Sequence, residues 1–569
     1  MGNLRPVLII GLVFLGYMIW VQWQKDYGPA PQPPTSTSQT QAQGDTPSVP
    51  TSVAPTASDV PADLPEPANQ PQDQTGSSNI IGEDAQKAVG PVISVVTDVF
   101  DIEIDLVGGT LVSAQLLDYP ERQKEPENKV NLLAARGDQL FIAQSGLLSR
   151  QQAPNHTSHY QSEKTSYVLE EGDSELRIPL TWASEDGVQV TKIFVFRPGR
   201  YEMEVLHEVT NNSGESWSGS RYDQLQRMIA GEQDSGGFTN PGRYSFEGIG
   251  FYNPEDKFEK VDFDDVADEP YKKTVSNGWL AMIQHYFFTA WIPPAEEEVT
   301  YSTQALTGDG WPRYIARNVS PLHSIGPGAS TTFSSRLYVG PKLQDEIPEI
   351  APGLEYTVNY GIFTVFSKPL YWLLSHIHDV VGNWGWSIVL LTILIKAAFF
   401  KLTEAQYKST ARMRKLQPRI EQLKERYGDD RQRMSQAMME MYKKEKVNPL
   451  GGCLPILVQI PIFIALYWVL LESVELRQAP FILWIDNLSV RDPYFILPLL
   501  NAVFMFATQR LTPMVGMDPL QQKMMTMMPI VFSIMFAFFP AGLVLYWATN
   551  AGLSLAQQYY ITRKIAAAD

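Results

Sequence analysis

The feature that most constrains the fold is an apolar run that contains a lysine. Residues 384–401, WGWSIVLLTILIKAAFFK, are about as long as a helix needs to be to cross a bilayer. Trp384 and Trp386 suit one headgroup layer and Lys401 suits the other. Lys396 lies about 7 Å of helix rise before Lys401, where an ammonium costs about 3 kcal/mol by insertion scales. The run therefore predicts a membrane helix whose Lys396 either extends to the interface or faces a hydrated cavity.

The charges divide the chain into two unlike parts. The net charge is −17, yet acidic residues predominate over residues 24–355 and basic residues over residues 356–569. Residues 401–446 hold 13 Lys and Arg against 7 Asp and Glu. An acidic block before a basic, apolar block indicates two sides of a membrane. The acidic first part also argues against nucleic acid as its partner.

The N-terminal residues predict an anchor and a tether. Residues 1–24 form one apolar span without a small-residue cleavage pattern, and Arg5 predicts a cytoplasmic N-terminus. Residues 25–89 are rich in Pro, Ser, Thr and Gln and predict a disordered periplasmic tether. The single cysteine, Cys453, cannot form an intrachain disulfide and suits a small core position.

Residues 90–350 predict a large antiparallel β-sandwich in the periplasm. Short runs alternate apolar with polar residues, and Gly, Pro and Asn mark the turns between them. The segment has no GxSxG, HExxH or P-loop motif, and its histidines lack the spacing of zinc ligands. We therefore expect no enzyme activity, no metal site and no cofactor.

The remaining residues predict a polytopic helical membrane core. Residues 356–381 carry apolar residues at helical spacing with too many polar ones to span, which predicts an amphipathic interfacial helix. Residues 382–564 predict five transmembrane helices, interrupted by a cytoplasmic helical hairpin over residues 403–447. With the anchor this makes six transmembrane helices, both termini in the cytoplasm, and residues 24–380 mainly periplasmic.

The hairpin has two interpretations. It is either a solvated pair of charged helices or a cytoplasmic docking arm for a ribosome, a nascent chain or anionic lipid. Its methionines favour docking because their flexible side chains adapt to different apolar surfaces. The candidate docking residues are Arg412, Arg414, Lys415, Arg419, Lys424 and Arg426.

Several polar residues of the predicted core helices invite a common explanation. Lys396 is accompanied by amides and hydroxyls but by no carboxylate within the spans, which excludes a proton relay or a coordinated-ion site. These residues either line a positively charged, water-filled recess open to the cytoplasm or join neighbouring helices through hydrogen bonds.

Two runs in this region resemble a known family. NPLGGCLPILVQIPIFIALYWVL (448–470) and FPAGLVLYWATN (539–550) resemble the YidC/Oxa/Alb family of membrane protein insertases, and the preceding anchor, tether and β-domain resemble its Gram-negative type. The resemblance implies a β-supersandwich in the periplasm. It also implies a membrane insertase and chaperone of the cell inner membrane, which inserts and helps fold integral membrane proteins alone or with the Sec translocon. The implied partners are nascent membrane proteins, Sec translocon components, the ribosome and membrane lipids, with no nucleic acid beyond ribosome contact.

The resemblance also implies a substrate groove. Its cation, usually arginine in the family, corresponds to Lys396, which keeps the charge and loses the bidentate fork. The family's paired asparagines appear here as Asn550 and Ala551. The candidate groove residues are Lys396, Thr392, Gln459, Ile460, Phe463, Asn501, Met535, Trp547 and Asn550.

Two other functions remain open from the residues. A secondary transporter would need an inverted repeat and a site near the bilayer midplane, and no repeat is evident in the sequence. A structural receptor acting through its periplasmic domain would lose its function on deletion of residues 90–345, whereas an insertase would keep most of it.

Overall fold

The structure is a computed structural model that describes residues 90–136, 139–229, 245–306, 311–428, 430–445, 454–511 and 519–567. A β-domain is followed by a helical region. The predicted anchor (1–24), the tether (25–89) and Cys453 lie outside the described residues.

The β-domain contains two sheets within the described residues, as predicted. The strands are β1 (Val92–Val96), β2 (Phe100–Asp105), β3 (Thr110–Arg122), β4 (Glu125–Arg136), β5 (Gln139–Ser149), β6 (Ser166–Val168), β7 (Leu176–Ala183), β8 (Val188–Phe196), β9 (Glu202–Asn211), β10 (Trp217–Met228), β11 (Gly248–Asn253), β12 (Lys257–Val261), β13 (Lys272–Ser276), β14 (Trp279–Ile283), β15 (Phe287–Ile292), β16 (Glu298–Leu306), β17 (Arg313–Val319), β18 (His323–Ile325) and β19 (Ser330–Pro341). One sheet has eleven strands in the order β13-β16-β17-β10-β5-β4-β3-β2-β1-β6, with β18 paired to β10. The other has eight in the order β12-β11-β14-β15-β19-β9-β8-β7.

The two sheets pack face to face around an apolar core that includes a few polar contacts. The indole Nε1 of Trp291 on β15 donates to the carbonyl of Gln224 on β10, at 3.1 Å. The Ser335 hydroxyl on β19 donates to Asp223 on β10, at 3.1 Å. Asp223 also forms a 3.0 Å ion pair with buried Arg221. Each charge is paired and hydrogen-bonded, which offsets the cost of removing it from water. The predicted β-sandwich is confirmed.

Nine α-helices longer than one turn are described after the β-domain. They are α1 (Thr364–Val381), α2 (Trp384–Ala398), α3 (Phe400–Lys415), α4 (Gln417–Tyr427), α5 (Arg431–Lys444), α6 (Leu454–Glu472), α7 (Ile496–Leu511), α8 (Pro519–Phe536) and α9 (Ala541–Ala567). Helix α9 packs against α2, α3 and α7, and α1 packs against α2 and α6. The bundle around α9 positions the polar residues singled out above.

The lysine-bearing run is bent near its C-terminal end. Asn383 caps α2 by accepting a hydrogen bond from the backbone N–H of Trp386 at 3.1 Å. Among the described residues no single helix meets the length and hydropathy expected of a membrane span. Trp384–Ala398 and Phe400–Ser409 meet them together, with a bend of 62° between them. The sequence predicted one straight helix through Lys401, and the bend instead turns α3 away from the axis of α2.

Two other helix boundaries differ from the predicted ones. The sequence predicts a first hairpin helix over 404–427 that bends at Pro418, and the structure divides this stretch between α3 and α4 at Leu416, with Pro418 in the first turn of α4. Proline suits that position because its missing N–H would have no helical partner there. The sequence predicts a methionine-rich loop that includes Met524 and Met525, followed by a span from about residue 526, and both methionines lie within α8. Methionine is a good helix former, which accounts for the longer helix.

A network of hydrogen bonds joins the β-domain to the outer end of α6. The Gln344 backbone N–H donates to Glu475 at 3.1 Å, and Arg477 donates to the Pro120 carbonyl at 2.8 Å. His285 contacts the carbonyl of Leu471 through Nε2 at 2.9 Å. These contacts fix the outer end of α6, the helix that carries Gln459 at its other end.

The His285 contact predicts a pH-dependent stability. Burial lowers the pKa of His285 to about 4, below its value of about 6.5 in the unfolded chain. The unfolded state therefore binds the proton first, and stability is lost as the pH falls through this window. Between pH 7.5 and pH 5 we expect a loss of about 2 kcal/mol, measured as a lower thermal midpoint of the detergent-solubilised protein.

His285→Gln is the matched variant because a glutamine amide can still donate to the Leu471 carbonyl but does not titrate. We expect its thermal midpoint to fall less than that of the unsubstituted protein over the same pH range. Equal falls in the two proteins would show that His285 does not contribute.

Candidate functional site

Lys396 lies in the last turn of α2, and its amine points into the helix bundle. Nζ donates to the hydroxyl of Ser554 on α9 at 2.8 Å, and the side chain is 8% exposed. The Ser554 hydroxyl in turn donates to the Asn550 carbonyl one turn earlier, at 2.7 Å. Of the two placements left open by the sequence, the structure therefore has the inward one and not extension toward the interface.

A second polar contact lies on the same face of α9. The amide Nε2 of Gln459 on α6 donates to Oδ1 of Asn550 at 2.6 Å. From α3, the Tyr407 hydroxyl donates to the backbone carbonyl of Ser554 at 3.2 Å. The segment around Asn550 and Ser554 is thus joined to three helices, α2, α3 and α6, through polar contacts.

Lys396 and Gln459 border a small, partly open recess. Its lining consists of Ile395, Lys396, Phe399, Leu402, Thr403, Gln459 and Ile462. An ammonium has three N–H donors, and among the described residues Ser554 is the one acceptor recorded for Lys396. The remaining donors of Lys396 are therefore available to water or to an anionic group that enters the recess.

An aromatic cluster lies about one helical turn farther along α6 and α9 from the polar contacts. The rings of Phe463 and Trp547 meet edge to face with centroids 4.6 Å apart. Phe536 contacts the same indole at 5.2 Å. Because α6 and α9 run in opposite directions in the predicted topology, both steps lead toward the outer side of the bundle. The aromatic cluster therefore lies beyond the polar contacts, next to the recess and not in its lining.

The other predicted groove residues lie elsewhere. Thr392 is buried, and its hydroxyl donates to the Ile388 carbonyl of its own helix at 2.7 Å. Asn501 is buried on α7 and donates to the Met505 sulfur at 3.5 Å. The side chains of Ile460 and Met535 are exposed on the surface of the bundle. The structure therefore brings together Lys396, Gln459 and Asn550, with Phe463 and Trp547 beyond them.

The candidate docking residues are only partly described. Arg412, Arg419 and Arg426 are exposed on α3 and α4, and Arg419 forms an ion pair with Glu445. The side chains of Arg414, Lys415 and Lys424 lie outside the described residues. The exposed guanidinium groups remain accessible to an anionic partner.

Ser554 is among the hydroxyls that the sequence places in the core helices with Lys396, but its contact with Lys396 was not foreseen, and Phe399, Thr403 and Tyr407 were missed. Ser554 lies four residues after Asn550, so helical spacing places both on one face of α9. That spacing was the available signal for Ser554. Phe399, Thr403 and Tyr407 lie at i+3, i+7 and i+11 from Lys396 and therefore share its face of a continuous helix. That spacing was the available signal for them.

Two family models match this chain in succession. The YidC periplasmic domain matches residues 92–373, and the 60Kd inner membrane protein family matches residues 376–568. The matches meet near the end of α1, in agreement with the division between β-domain and helical bundle. They define the chain as an inner-membrane protein that carries a periplasmic domain.

Curated relatives agree over the full length. The membrane protein insertases YidC of Thioalkalivibrio sulfidiphilus and Methylococcus capsulatus are each 48% identical to it, over 99% of this chain and 99% of each relative. YidC of Pseudomonas putida is 44% identical over 99% of this chain and 98% of its own length. The chain therefore belongs to the YidC family of membrane protein insertases.

The contact between Lys396 and Ser554 generates a prediction. Ser554→Ala removes the hydroxyl that accepts from Lys396, whereas Ser554→Thr keeps a hydroxyl on the same Cβ position. A hydrogen bond to a charged group contributes about 1.5 kcal/mol or more, so we expect the Lys396 amine of Ser554→Ala to react about tenfold faster with an acylating reagent. Peptide-resolved mass spectrometry of the protein in liposomes measures that rate. Equal rates in the alanine and threonine variants would contradict the assignment.

Proposed function

We propose that this chain inserts and helps fold integral inner-membrane proteins by receiving a polar segment of the client in the recess beside Lys396. The observation that carries the proposal is the inward amine of Lys396, held by Ser554 with further donors free. Membership of the insertase family makes nascent membrane proteins the clients, and the recess is where a client meets a fixed positive charge.

The attraction between Lys396 and an acidic residue of a client is large enough to matter for insertion. A carboxylate about 4 Å from the amine gains about 4 kcal/mol at an effective dielectric constant of 20. Placing one aspartate at the centre of a membrane helix costs about 3 kcal/mol. The attraction is thus of the same size as the cost of bringing one acidic residue out of water. A lysine supplies this attraction without the paired donors of an arginine.

The client's apolar segment needs a path from the recess to lipid. Exposed apolar side chains follow the recess-bearing helices, including Ile393 and Leu394 on α2 and Ile460 on α6. A client helix that slides along them exchanges water for apolar surface, which is favourable by about 25 cal/mol per Å² of apolar area. We infer that hydrophobic partitioning and the membrane potential drive insertion, so that no covalent chemistry is required of the chain.

The proposal includes the six-helix topology. The cytoplasmic side would hold both termini and the hairpin of α3, α4 and α5, and the periplasmic side most of residues 24–380. The positive-inside pattern supports this arrangement. The hairpin would contact the ribosome, the nascent chain or anionic lipid, and the bundle would work alone or beside the Sec translocon.

The role of Lys396 is tested by reversing its charge. We expect Lys396→Glu to lower insertion of a single-span substrate with an acidic tail by about tenfold or more, because attraction becomes repulsion. Lys396→Arg should retain insertion. Reconstituted proteoliposomes and protease protection of the substrate tail measure the yield.

Lys401→Glu is the matched control, since Lys401 is a nearby cation whose side chain is 93% exposed. Screening by water should leave its insertion yield within about twofold of the unsubstituted protein. An unchanged yield in Lys396→Glu, or an equal loss in Lys401→Glu, would reject a specific role for the recess cation.

The docking role of the hairpin is tested separately. Replacing Arg412, Arg419 and Arg426 by glutamate should weaken co-sedimentation with translating ribosomes by about tenfold, because it reverses three exposed charges. The same replacement of Arg433, Lys443 and Lys444 on α5 controls for net charge. Equal weakening by the two sets would show general electrostatic attraction in place of a docking surface on α3 and α4.

A further inference from the structure

We propose that the outer loop over residues 480–495 is a built lipid anchor, whose apolar tip around Leu483 enters the headgroup–acyl boundary of the outer leaflet. The loop joins α6 to α7 and is called the tip loop below. The inference rests on the proposed topology, which places this end of the bundle in the periplasm.

The tip loop exposes more apolar surface than a loop in water would. Leu483 is 81% exposed and Tyr494 is 68% exposed. Further exposed apolar residues of the tip loop are Ile482, Val490 and Phe495. A continuous group of large apolar side chains on a surface marks an interaction site.

The backbone presents these side chains in an unfavourable conformation. Leu483 has φ of 57° and Phe495 has φ of 56°, both in the left-handed region that disfavours residues with a Cβ. A tight turn holds the first, since the Phe481 N–H donates to the Ile485 carbonyl at 2.9 Å. The left-handed backbone of Leu483 costs free energy, and its side chain makes too few contacts within the protein to offset that cost. Contact with an apolar partner would explain both the exposure of Leu483 and its left-handed backbone.

The other side of the tip loop is rigidly attached to the protein. Asp492 is buried and accepts from the Trp484 indole at 3.0 Å and from the Leu497 N–H at 2.7 Å. The Phe481 ring packs tightly against Gly385. A Cβ added to Gly385 would lie only 2.0 Å from Cδ2 of Phe481. The exposed side chains therefore project from a fixed scaffold.

The polar and apolar sides of the tip loop face different neighbours. The Asp486 carbonyl accepts from Gln123 of the β-domain at 2.8 Å, so this side faces the periplasmic domain. On the apolar side, Phe481 meets the half-exposed ring of Trp386 edge to face at 5.4 Å. An amphipathic indole at that level suits the headgroup layer.

The occupant that fits this surface is the bilayer itself. The apolar side continues into an exposed stripe on α7 with helical spacing, formed by Ile496, Leu499, Leu500, Val503 and Phe506. The stripe belongs to a proposed membrane helix, so lipid covers it in that topology. Because the tip loop extends the same surface without a break, the lipid boundary extends to it as well. A second copy of the chain or another protein is the competing occupant.

The test places an environment-sensitive NBD fluorophore on the tip loop. Cys453→Ser first removes the native thiol, and Leu483→Cys then carries the label in the full chain reconstituted in phosphatidylethanolamine–phosphatidylglycerol liposomes. Asp486→Cys is the matched control, three residues away on the side of the β-domain. We expect lipids that carry a nitroxide near the headgroup to quench NBD at 483 about threefold and NBD at 486 hardly at all. Aqueous iodide should show the reverse order.

Two results would overturn the anchor. One is iodide quenching at 483 equal to that at 486 without lipid quenching, which would place the tip in water. The other is protection of 483 from both quenchers together with crosslinking of Leu483→Cys to a second copy, which would make a protein the occupant.

A substitution separates the anchor from the proposed function. Leu483→Asn removes the apolar side chain, while asparagine tolerates the left-handed backbone, so the scaffold is retained. With NBD on Tyr494→Cys, we expect Leu483→Asn to reduce lipid quenching about twofold. Insertion of the acidic-tailed substrate in the same liposomes reports on the recess independently. Unchanged quenching would reject the anchor whether or not insertion proceeds.

Discussion

The arrangement of the helical bundle depends on one buried ammonium and the hydroxyl that receives it. Lys396 on α2 donates to Ser554 on α9, and Gln459 joins α6 to the same stretch of α9 through Asn550. An unpaired charge in an apolar bundle is expensive, so the helices are held where the amine has a partner and access to the recess. The buried charge of Lys396 costs free energy, and the polar side chains that offset this cost are the ones that make the site polar.

The β-domain and the bundle are connected through the end of α6 that lies opposite the recess. The contacts of Gln344 with Glu475 and of Arg477 with Pro120 leave this end little freedom. Gln459 is carried by the same helix, so the periplasmic attachment also limits how far the amide can move from Asn550.

Much of the architecture can be predicted from the pattern of apolar and polar residues along the sequence. The details of the site depend instead on how the helices pack together. Alternating apolar residues predicted the β-sandwich, and the charged and apolar runs predicted the helices. Lys396, Gln459 and Asn550 were recognisable because polar residues in apolar helices are rare. The bend at Phe399 was not predicted, since no proline or glycine marks it. Thr403 lines the recess beyond the bend, whereas Thr392 satisfies its hydroxyl within its own helix.

The bend has a further consequence for the bilayer around the protein. Helix α2 has 15 residues, which give about 22 Å of rise, whereas the hydrocarbon core of a bilayer is about 30 Å thick. In the proposed six-helix topology the remaining thickness falls to the first turns of α3, which leave the axis of α2 at 62°. Lipid on this side of the protein would therefore pack against two differently tilted helices in place of one continuous span.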